Sequence, residues 1–250
     1  MSSFAQPGRM LAWWQLLRAA NVFTAASNVL AGFLIVQRGF EPAGALAALV
    51  ASSACLYLAG MVLNDFFDAE IDAAERPERP IPSGRIPRNV AGLVGWSLLT
   101  VGVLLALAIS YQQANIAPGL IGVLLAIAVV QYDGGLKKTR FGPYAMGWCR
   151  VLNVLLGASV AIDLSHRVVP FAYAVAIGAY TVGLTYVARS EMVGNFARSL
   201  HIRNVVTRLL QGFIVIDAIA ATLAAGWIAG LAVLCLLIPT LIIARWAAMT

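Results

Sequence analysis

The sequence predicts an all-α fold, a polytopic bundle of helices that crosses a membrane several times. Of its 250 residues, 61% are hydrophobic and only 11% are charged, which does not suit the surface of a soluble domain. The apolar residues fall into runs long enough to cross a bilayer, and short polar loops separate these runs. The net charge of +6 is spread over those loops and forms no basic domain, which disfavours nucleic-acid binding.

Eight membrane spans are expected. Trp13 and Trp14 are typical of an interfacial segment that leads into the first span. Asn21, near the start of that span, is expected either to bond a neighbouring helix or to contact a substrate, because polar groups inside lipid usually face the bundle. The predicted spans cover residues 18–36, 44–63, 90–109, 116–131, 146–161, 169–188, 205–224 and 231–248.

An acidic helix end directly follows the second span. Asp65, Asp68 and Asp72 recur at i, i+3 and i+7, so they share one helical face, and Asn64 lies at its edge. Three carboxylates on one face repel one another unless a cation neutralises them. Mg²⁺ suits such a set of oxygen ligands, because it is usually shared between one or two carboxylates and substrate phosphates. A solvated helix cap is the simpler alternative for the spacing alone.

The loop after this acidic face is basic and stiff. Arg76 and Arg79 alternate with Pro77 and Pro80, and the turn-forming sequence PSGR follows. Guanidinium groups present forked donors that match phosphate oxygens. The segment therefore predicts a site for a phosphate-bearing ligand beside the membrane.

Residues 64–84 resemble the first aspartate-rich signature of the UbiA superfamily of intramembrane prenyltransferases. The resemblance covers 21 contiguous residues, which begin with NDFFDAEID and end with RPIPSG. It implies a bundle of membrane helices with one span more than the eight counted here, so a C-terminal helix is expected to be missing. It also implies that Mg²⁺ binds an isoprenyl diphosphate, whose prenyl group is transferred to an aromatic or other small acceptor.

A second polar loop, residues 132–145, contains Lys137 and Lys138. Cations beside a membrane ordinarily determine topology. The superfamily, which this loop also resembles, commonly places a lysine here on the substrate diphosphate, and Lys137 is the first candidate for that role, with Lys138 the second. Arg150 and Asn153, one turn apart on the fifth span, are candidate substrate contacts. Snorkelling of Arg150 and helix packing of Asn153 are the alternatives.

The third polar loop departs from the superfamily pattern. A second aspartate-rich motif is usual there, yet residues 189–208 contain no Asp, and Glu191 is the sole carboxylate. Either Glu191 and Asn195 form a reduced metal and substrate site, or this chain handles its substrate differently. The degenerate loop resembles an EboC-like bacterial branch. Asp217, deep in the seventh span, is expected to make a structural hydrogen bond, with a place in the substrate cavity as the alternative.

Basic residues predict the orientation of the bundle. With eight crossings, 15 of the 17 Lys and Arg residues fall on the side of the three polar loops and both termini, and Arg38 and Arg167 fall on the other. The positive-inside rule assigns the crowded side to the cytoplasm. The prediction is an integral protein of a bacterial inner membrane, with its site facing the cytoplasm.

The interpretation that follows is a single membrane domain, residues 1–250, that acts as a Mg²⁺-dependent prenyltransferase, with an isoprenyl diphosphate, a small acceptor and membrane lipid as partners. A non-catalytic UbiA-fold protein that presents a lipid-linked molecule is the alternative. A cation transporter is a third reading, but it predicts carboxylates near mid-bilayer. The predicted catalytic residues are Asp65, Asp68, Asp72 and Lys137; the substrate contacts are Asn21, Asn64, Arg79, Lys138, Arg150, Asn153 and Glu191; the Mg²⁺ ligands are Asn64, Asp65, Asp68, Asp72 and Glu191.

Overall fold

Helices make up all the regular structure that the computed structural model describes, which covers residues 8–161, 168–190 and 196–249. The all-α prediction is confirmed. Two short 3-10 turns, Ala19–Asn21 and Leu136–Lys138, connect α1 to α2 and α6 to α7. The helices are α1 (Arg9–Leu17), α2 (Val22–Gln37), α3 (Ala43–Phe67), α4 (Ala69–Glu75), α5 (Arg88–Gln112), α6 (Ala117–Gly134), α7 (Gly142–Ala158), α8 (Val168–Ser190), α9 (Phe196–Ala225), α10 (Trp227–Leu234) and α11 (Leu237–Met249).

Six of the described helical segments are long and apolar enough to cross a membrane. Large apolar side chains such as Leu93, Leu104 and Leu223 are exposed on their outer faces, where lipid would cover them. The six segments are Ala19–Gln37, Ala43–Phe67, Arg88–Gln112, Ala117–Gly134, Val168–Ser190 and Val205–Ala225.

Two of the eight predicted spans are not among these six segments. The fifth is α7, which has only 17 residues and begins four residues earlier than expected, at Gly142. The last is interrupted, because α10 ends at Leu234 and α11 begins at Leu237. Pro239 explains the interruption: it has no N–H for the carbonyl of Cys235, and its ring would clash with that carbonyl in a continuous helix.

Helices α2 and α7 lie in direct backbone contact at the centre of the bundle. A Cβ added at Gly157 would lie 2.0 Å from the carbonyl oxygen of Val29, and one at Gly32 would lie 2.2 Å from that of Val154. Only glycine permits such an approach, so Gly157 and Gly32 are packing residues of the α2–α7 contact.

Asp217 on α9 is fully buried and is held by hydrogen bonds from other helices. Ser27 Oγ donates to it at 2.5 Å, Asn28 Nδ2 donates at 2.8 Å, and the Tyr173 hydroxyl donates to Asp217 Oδ1. These bonds make the structural role expected of Asp217 the better interpretation, since a buried carboxylate is costly unless it is bonded.

The short helix α1 covers the loop that follows α4. Ala12 and Leu16 of α1 pack in one buried cluster with Ile81 and Ile86 of the loop and with Val62 of α3. The loop is therefore fixed between α1 and the end of α3, which positions Arg79 against the acidic face.

Candidate active site

The three aspartates stay on one face although the helix that carries them is interrupted at Asp68. The sequence predicts one continuous helix, but α3 ends at Phe67 and α4 begins at Ala69, with Asp68 between them. The backbone hydrogen bonds nevertheless continue, from Asp68 N to the Asn64 carbonyl at 3.1 Å and from Asp72 N to the Asp68 carbonyl at 2.8 Å. The three aspartates thus stay at one end of the bundle.

Two arginines neutralise the buried carboxylates of Asp65 and Asp72. Arg79 Nη1 lies 2.7 Å from Asp72 Oδ2 and 3.5 Å from Asp65 Oδ1, so one guanidinium joins both acids. Arg18 Nη2 lies 3.3 Å from Asp65 Oδ1. The loop arginine predicted to contact a diphosphate is therefore already directed at the acidic face.

Lys137 joins the second polar loop to the first. Its Nζ lies 2.6 Å from Asp68 Oδ2 and donates to Asn64 Oδ1 at 2.9 Å. Lys138 Nζ lies 3.2 Å from Asp68 Oδ1, yet that buried oxygen accepts no hydrogen bond. The structure thus brings together seven of the predicted site residues, which we call the aspartate–lysine cluster: Asn64, Asp65, Asp68, Asp72, Arg79, Lys137 and Lys138.

The start of the third polar loop lies at the same end of the bundle. Arg189, near the end of α8, donates from Nη2 to the Lys137 carbonyl at 2.6 Å and to the Thr139 carbonyl at 3.2 Å. The predicted site residue Glu191 and its neighbour Asn195 lie outside the described residues, so their role stays a prediction.

A cavity of about 140 Å³ extends from the aspartate–lysine cluster into the bundle. Asn64 lines it at the cluster and Ser53 lines it eleven residues earlier on α3, which is about 16 Å along a helix. Its other lining residues include apolar side chains from three helices, among them Leu56, Leu125 and Met146. The cavity can hold the reacting ends of substrates away from bulk water.

Arg150 and Asn153 line this cavity but are bonded to the protein. Arg150 Nη1 donates to Asn28 Oδ1 at 2.9 Å, and the guanidinium lies 4.7 Å from the centre of the Phe213 ring. Asn153 Nδ2 donates to the Ala25 carbonyl at 2.9 Å. Helix packing, the alternative for Asn153, explains its contact. Arg150 does not snorkel, the alternative for that residue, because its guanidinium contacts Asn28 and Phe213 inside the bundle. Substrate binding by either residue stays a prediction.

Asn21 lies beside the cavity rather than in the aspartate–lysine cluster. It ends the 3-10 turn before α2, its carbonyl accepts a hydrogen bond from Thr24 Oγ1 at 2.8 Å, and its side chain reaches the cavity-lining Tyr57. Its predicted contact with substrate is untested.

Two residues at the site were missed by the sequence analysis. Arg18 received no role in the site, because nothing local connects it to Asp65, 47 residues away. Asp133 was assigned to the second polar loop, but α6 continues past the apolar run to Gly134 and carries Asp133 on its last turn. There it is 4% exposed and lines the cavity.

The aspartate–lysine cluster fits a hard cation that keeps ligands from water and phosphate. In the part of the chain that the structure describes, no three His, Cys, Asp or Glu side chains are close enough to hold one metal ion. Mg²⁺ does not need such a cage, because one or two carboxylates and substrate phosphates usually suffice. Asp68 Oδ1, buried and without a hydrogen-bond donor, is an oxygen available for that purpose.

Comparison of the sequence with protein families gives one match that covers most of the chain. A model of the UbiA prenyltransferase family matches residues 25–250. The digeranylgeranylglyceryl phosphate synthase of Ignicoccus hospitalis is 34% identical over 162 residues, which are 64% of this chain and 51% of that protein. The enzyme of the same name from Methanothermobacter thermautotrophicus is 40% identical over 124 residues, 50% of this chain and 41% of that protein. The matches thus span about half the length of these curated relatives.

Solved structures share the fold. One comes from a structural and mechanistic study of the biosynthesis of digeranylgeranylglyceryl phosphate synthase in membranes. It gives a TM-score of 0.60 at 18% identity and covers 96% of this chain and 94% of that one. A UbiA homolog from Archaeoglobus fulgidus bound to DMAPP and Mg²⁺ gives 0.54 at 15% identity and covers 92% of this chain and 86% of that one. At these identities the likeness establishes the architecture alone.

Proposed function

Because the chain belongs to the UbiA prenyltransferase family, we propose that it moves a prenyl group from an isoprenyl diphosphate to a small acceptor within the membrane. Residues 1–250 act in this proposal as one integral-membrane domain. The observation that supports it best is the contact of 2.6 Å between Lys137 Nζ and Asp68 Oδ2, which joins two polar loops at the mouth of the cavity.

The donor diphosphate binds at the aspartate–lysine cluster in this proposal. Arg79, Lys137 and Lys138 donate to its oxygens, in place of part of their present contacts with the aspartates, since charge-assisted hydrogen bonds to phosphate are strong. One or two of the carboxylates of Asp65, Asp68 and Asp72, with Asn64 at their edge, would hold Mg²⁺ together with the diphosphate. The metal supplies Lewis-acid stabilisation of the negative charge on the departing diphosphate. A relative of this fold has been described with DMAPP and Mg²⁺ bound, which supports this choice of cation and donor class.

The cavity receives the reacting carbon atoms. Its volume of about 140 Å³ is smaller than that of typical ligand pockets, about 300–1,000 Å³, so the long tails of the substrates lie among the helices and the lipid. Arg18 and Asn64 at the polar end orient the diphosphate, while apolar side chains such as Leu56 and Leu125 keep water from the reactive carbon. Exclusion of water favours transfer to the acceptor over hydrolysis of the donor.

The acceptor that we propose differs from the aromatic ring expected from the sequence. The relatives of this chain are named for the synthesis of digeranylgeranylglyceryl phosphate, a glyceryl phosphate that carries two geranylgeranyl groups. An acceptor of that class offers an alcohol hydroxyl to the prenyl carbon. We therefore propose a glyceryl phosphate that already carries one isoprenyl chain.

The site faces the cytoplasm in this proposal. Lys137, Lys138, Arg79, Arg18 and Arg189 gather at one end of the bundle. Such a gathering of cations is expected on the cytoplasmic side of a membrane protein.

Prenyl transfer in oriented vesicles tests the proposal. Geranylgeranyl diphosphate and geranylgeranylglyceryl phosphate are added from outside, and the doubly prenylated product is measured by mass spectrometry. Because the charged substrates do not cross the membrane, inside-out vesicles should form product and right-side-out vesicles should not until they are permeabilised. Asp68→Asn and Lys137→Met should each lower the rate about 100-fold or more, because the first removes a ligand of the Mg²⁺ that stabilises the leaving group and the second removes a cation that contacts it.

Glu70→Gln is the matched control for these variants. Glu70 lies on α4, two residues from Asp68, but its side chain is 85% exposed and pairs only with Arg88 among the described residues. Its loss should leave the rate unchanged. If the wild type binds the donor but transfers no prenyl group with any acceptor, the non-catalytic alternative is correct.

A further inference from the structure

Asp133 differs from the other buried carboxylates of the described residues. Asp65 and Asp72 are paired with arginines, and Asp217 accepts hydrogen bonds from three side chains. Asp133 is 4% exposed, lines the cavity, and has neither a hydrogen bond nor an ion pair within the part of the chain that the structure describes. An unpartnered carboxylate in so buried a position is costly, which indicates that it meets a group that enters the cavity.

The contact of Asp133 with Gly60 of α3 shows how deep Asp133 lies relative to the donor site. Oδ2 of Asp133 lies 3.8 Å from where a Cβ would stand on Gly60 of α3. Gly60 precedes Asn64 by one helical turn, or about 6 Å along the axis, on the same face of α3. Asp133 therefore lies about one turn deeper in the bundle than the aspartate–lysine cluster. A prenyl chain whose diphosphate is held at that cluster has its first carbon atoms at this depth.

We propose that Asp133 is the catalytic base that accepts the hydroxyl proton of the acceptor, an inference that rests on the function proposed above. The allylic carbon–oxygen bond breaks and its electron pair goes to the diphosphate. The hydroxyl oxygen of the acceptor forms the new bond to that carbon, and its proton moves to the Asp133 carboxylate. The products are an ether, inorganic diphosphate and a protonated Asp133, which returns the proton to water at the polar end of the cavity.

This assignment fits an acceptor with an alcohol hydroxyl. An alcohol oxygen that bonds to the prenyl carbon becomes positively charged unless its proton leaves, so a carboxylate within reach stabilises the transition state. Asp65, Asp68 and Asp72 cannot serve equally well, because cations of the protein or the metal already occupy them. Charged and titratable groups close enough to influence Asp133 are Lys137, Asp68, Arg18, Asp65, Tyr132 and Cys149.

Asp133→Asn tests the inference, because the amide has the shape of the carboxylate but cannot take the proton. Prenyl transfer at saturating substrate should fall about 100- to 10,000-fold, the usual contribution of a general base. Binding of geranylgeranyl diphosphate should stay within about twofold of the wild type, which also shows that the variant is folded. Asp133→Glu should recover part of the rate, and Glu70→Gln should leave it unchanged.

The pH profile provides a second readout that a structural role would not change. The wild-type rate should fall as the pH is lowered and Asp133 becomes protonated, whereas the residual rate of Asp133→Asn should lack that dependence. Equal rates and equal pH profiles in the two proteins would overturn the inference and leave the proposed function intact. Loss of donor binding in Asp133→Asn would also overturn it. A wild type that forms no product would overturn both.

Discussion

At the scale of single residues, the part of the aspartate–lysine cluster whose members lie close together in the sequence was predictable. Asp65, Asp68 and Asp72 share a face by their spacing alone, and Arg79 follows them within one stiff loop. The contacts of Arg18 with Asp65, 47 residues away, and of Lys137 with Asp68 depend on the packing of separate helices, which spacing does not show. Lys137 was found only because the family resemblance pointed to it.

The guanidinium of Arg79 should matter for its shape as well as its charge. Its Nη1 reaches both Asp72 Oδ2 and Asp65 Oδ1, and its side chain is only 21% exposed. Arg79→Lys keeps the charge but loses the forked donors that match phosphate oxygens. We expect the KM for the isoprenyl diphosphate to rise about tenfold, which corresponds to about 1.4 kcal/mol.

Arg76→Lys is the control for this variant, since Arg76 lies three residues earlier and is exposed. Steady-state kinetics with varied donor should leave its KM unchanged. The same KM in Arg79→Lys and the wild type would show that the arginine serves only to balance charge on Asp65 and Asp72.

At the scale of helices, periodicity and apolar length predicted most elements, and two boundary errors had physical causes. The predicted span on α6 ends at residue 131, but the helix continues to Gly134, so Asp133 belongs to the cavity wall instead of a loop. The last span was predicted as continuous although Pro239 was in view, and the structure breaks at Cys235, four residues before it. Apolar composition predicts which residues lie in lipid. It does not predict where a helix ends, because helix ends depend on backbone hydrogen bonds.

The contact between α2 and α7 predicts a large effect of one methyl group. The Cβ of Gly157→Ala would lie 2.0 Å from the Val29 carbonyl oxygen, so the two helices must separate. We expect the free energy of unfolding to fall by about 1–3 kcal/mol, as for other overpacked sites. Thermal unfolding of the detergent-solubilised protein should show a lower Tm.

Gly183→Ala is the matched control on α8, because a Cβ there meets no atom within 4 Å. Alanine is also the better helix former, so its Tm should equal or exceed that of the wild type. Equal Tm values for the two alanine variants would contradict the close α2–α7 contact.

At the scale of the whole molecule, the bundle brings polar loops that are distant in sequence to one end, above a cavity that enters the membrane. Helix α3 carries Asn64 and Asp65 of the cluster and also lines the cavity. Helix α6 lines the cavity with Asp133, and α1 covers the loop that carries Arg79. The ionic groups of the cluster therefore lie at the polar end of the bundle, and Asp133 lies about one helical turn deeper in the cavity. This arrangement suits a donor with a charged head and an apolar tail.

The central claim is that the aspartate–lysine cluster binds an isoprenyl diphosphate through Mg²⁺. The most direct test is the Kd of geranylgeranyl diphosphate for the purified protein, measured by titration calorimetry with Mg²⁺ and with EDTA. We predict that Mg²⁺ lowers the wild-type Kd at least about tenfold, equivalent to about 1.4 kcal/mol, and that Asp68→Asn loses this dependence while Glu70→Gln keeps it. A wild-type Kd that is the same in Mg²⁺ and in EDTA would contradict the claim.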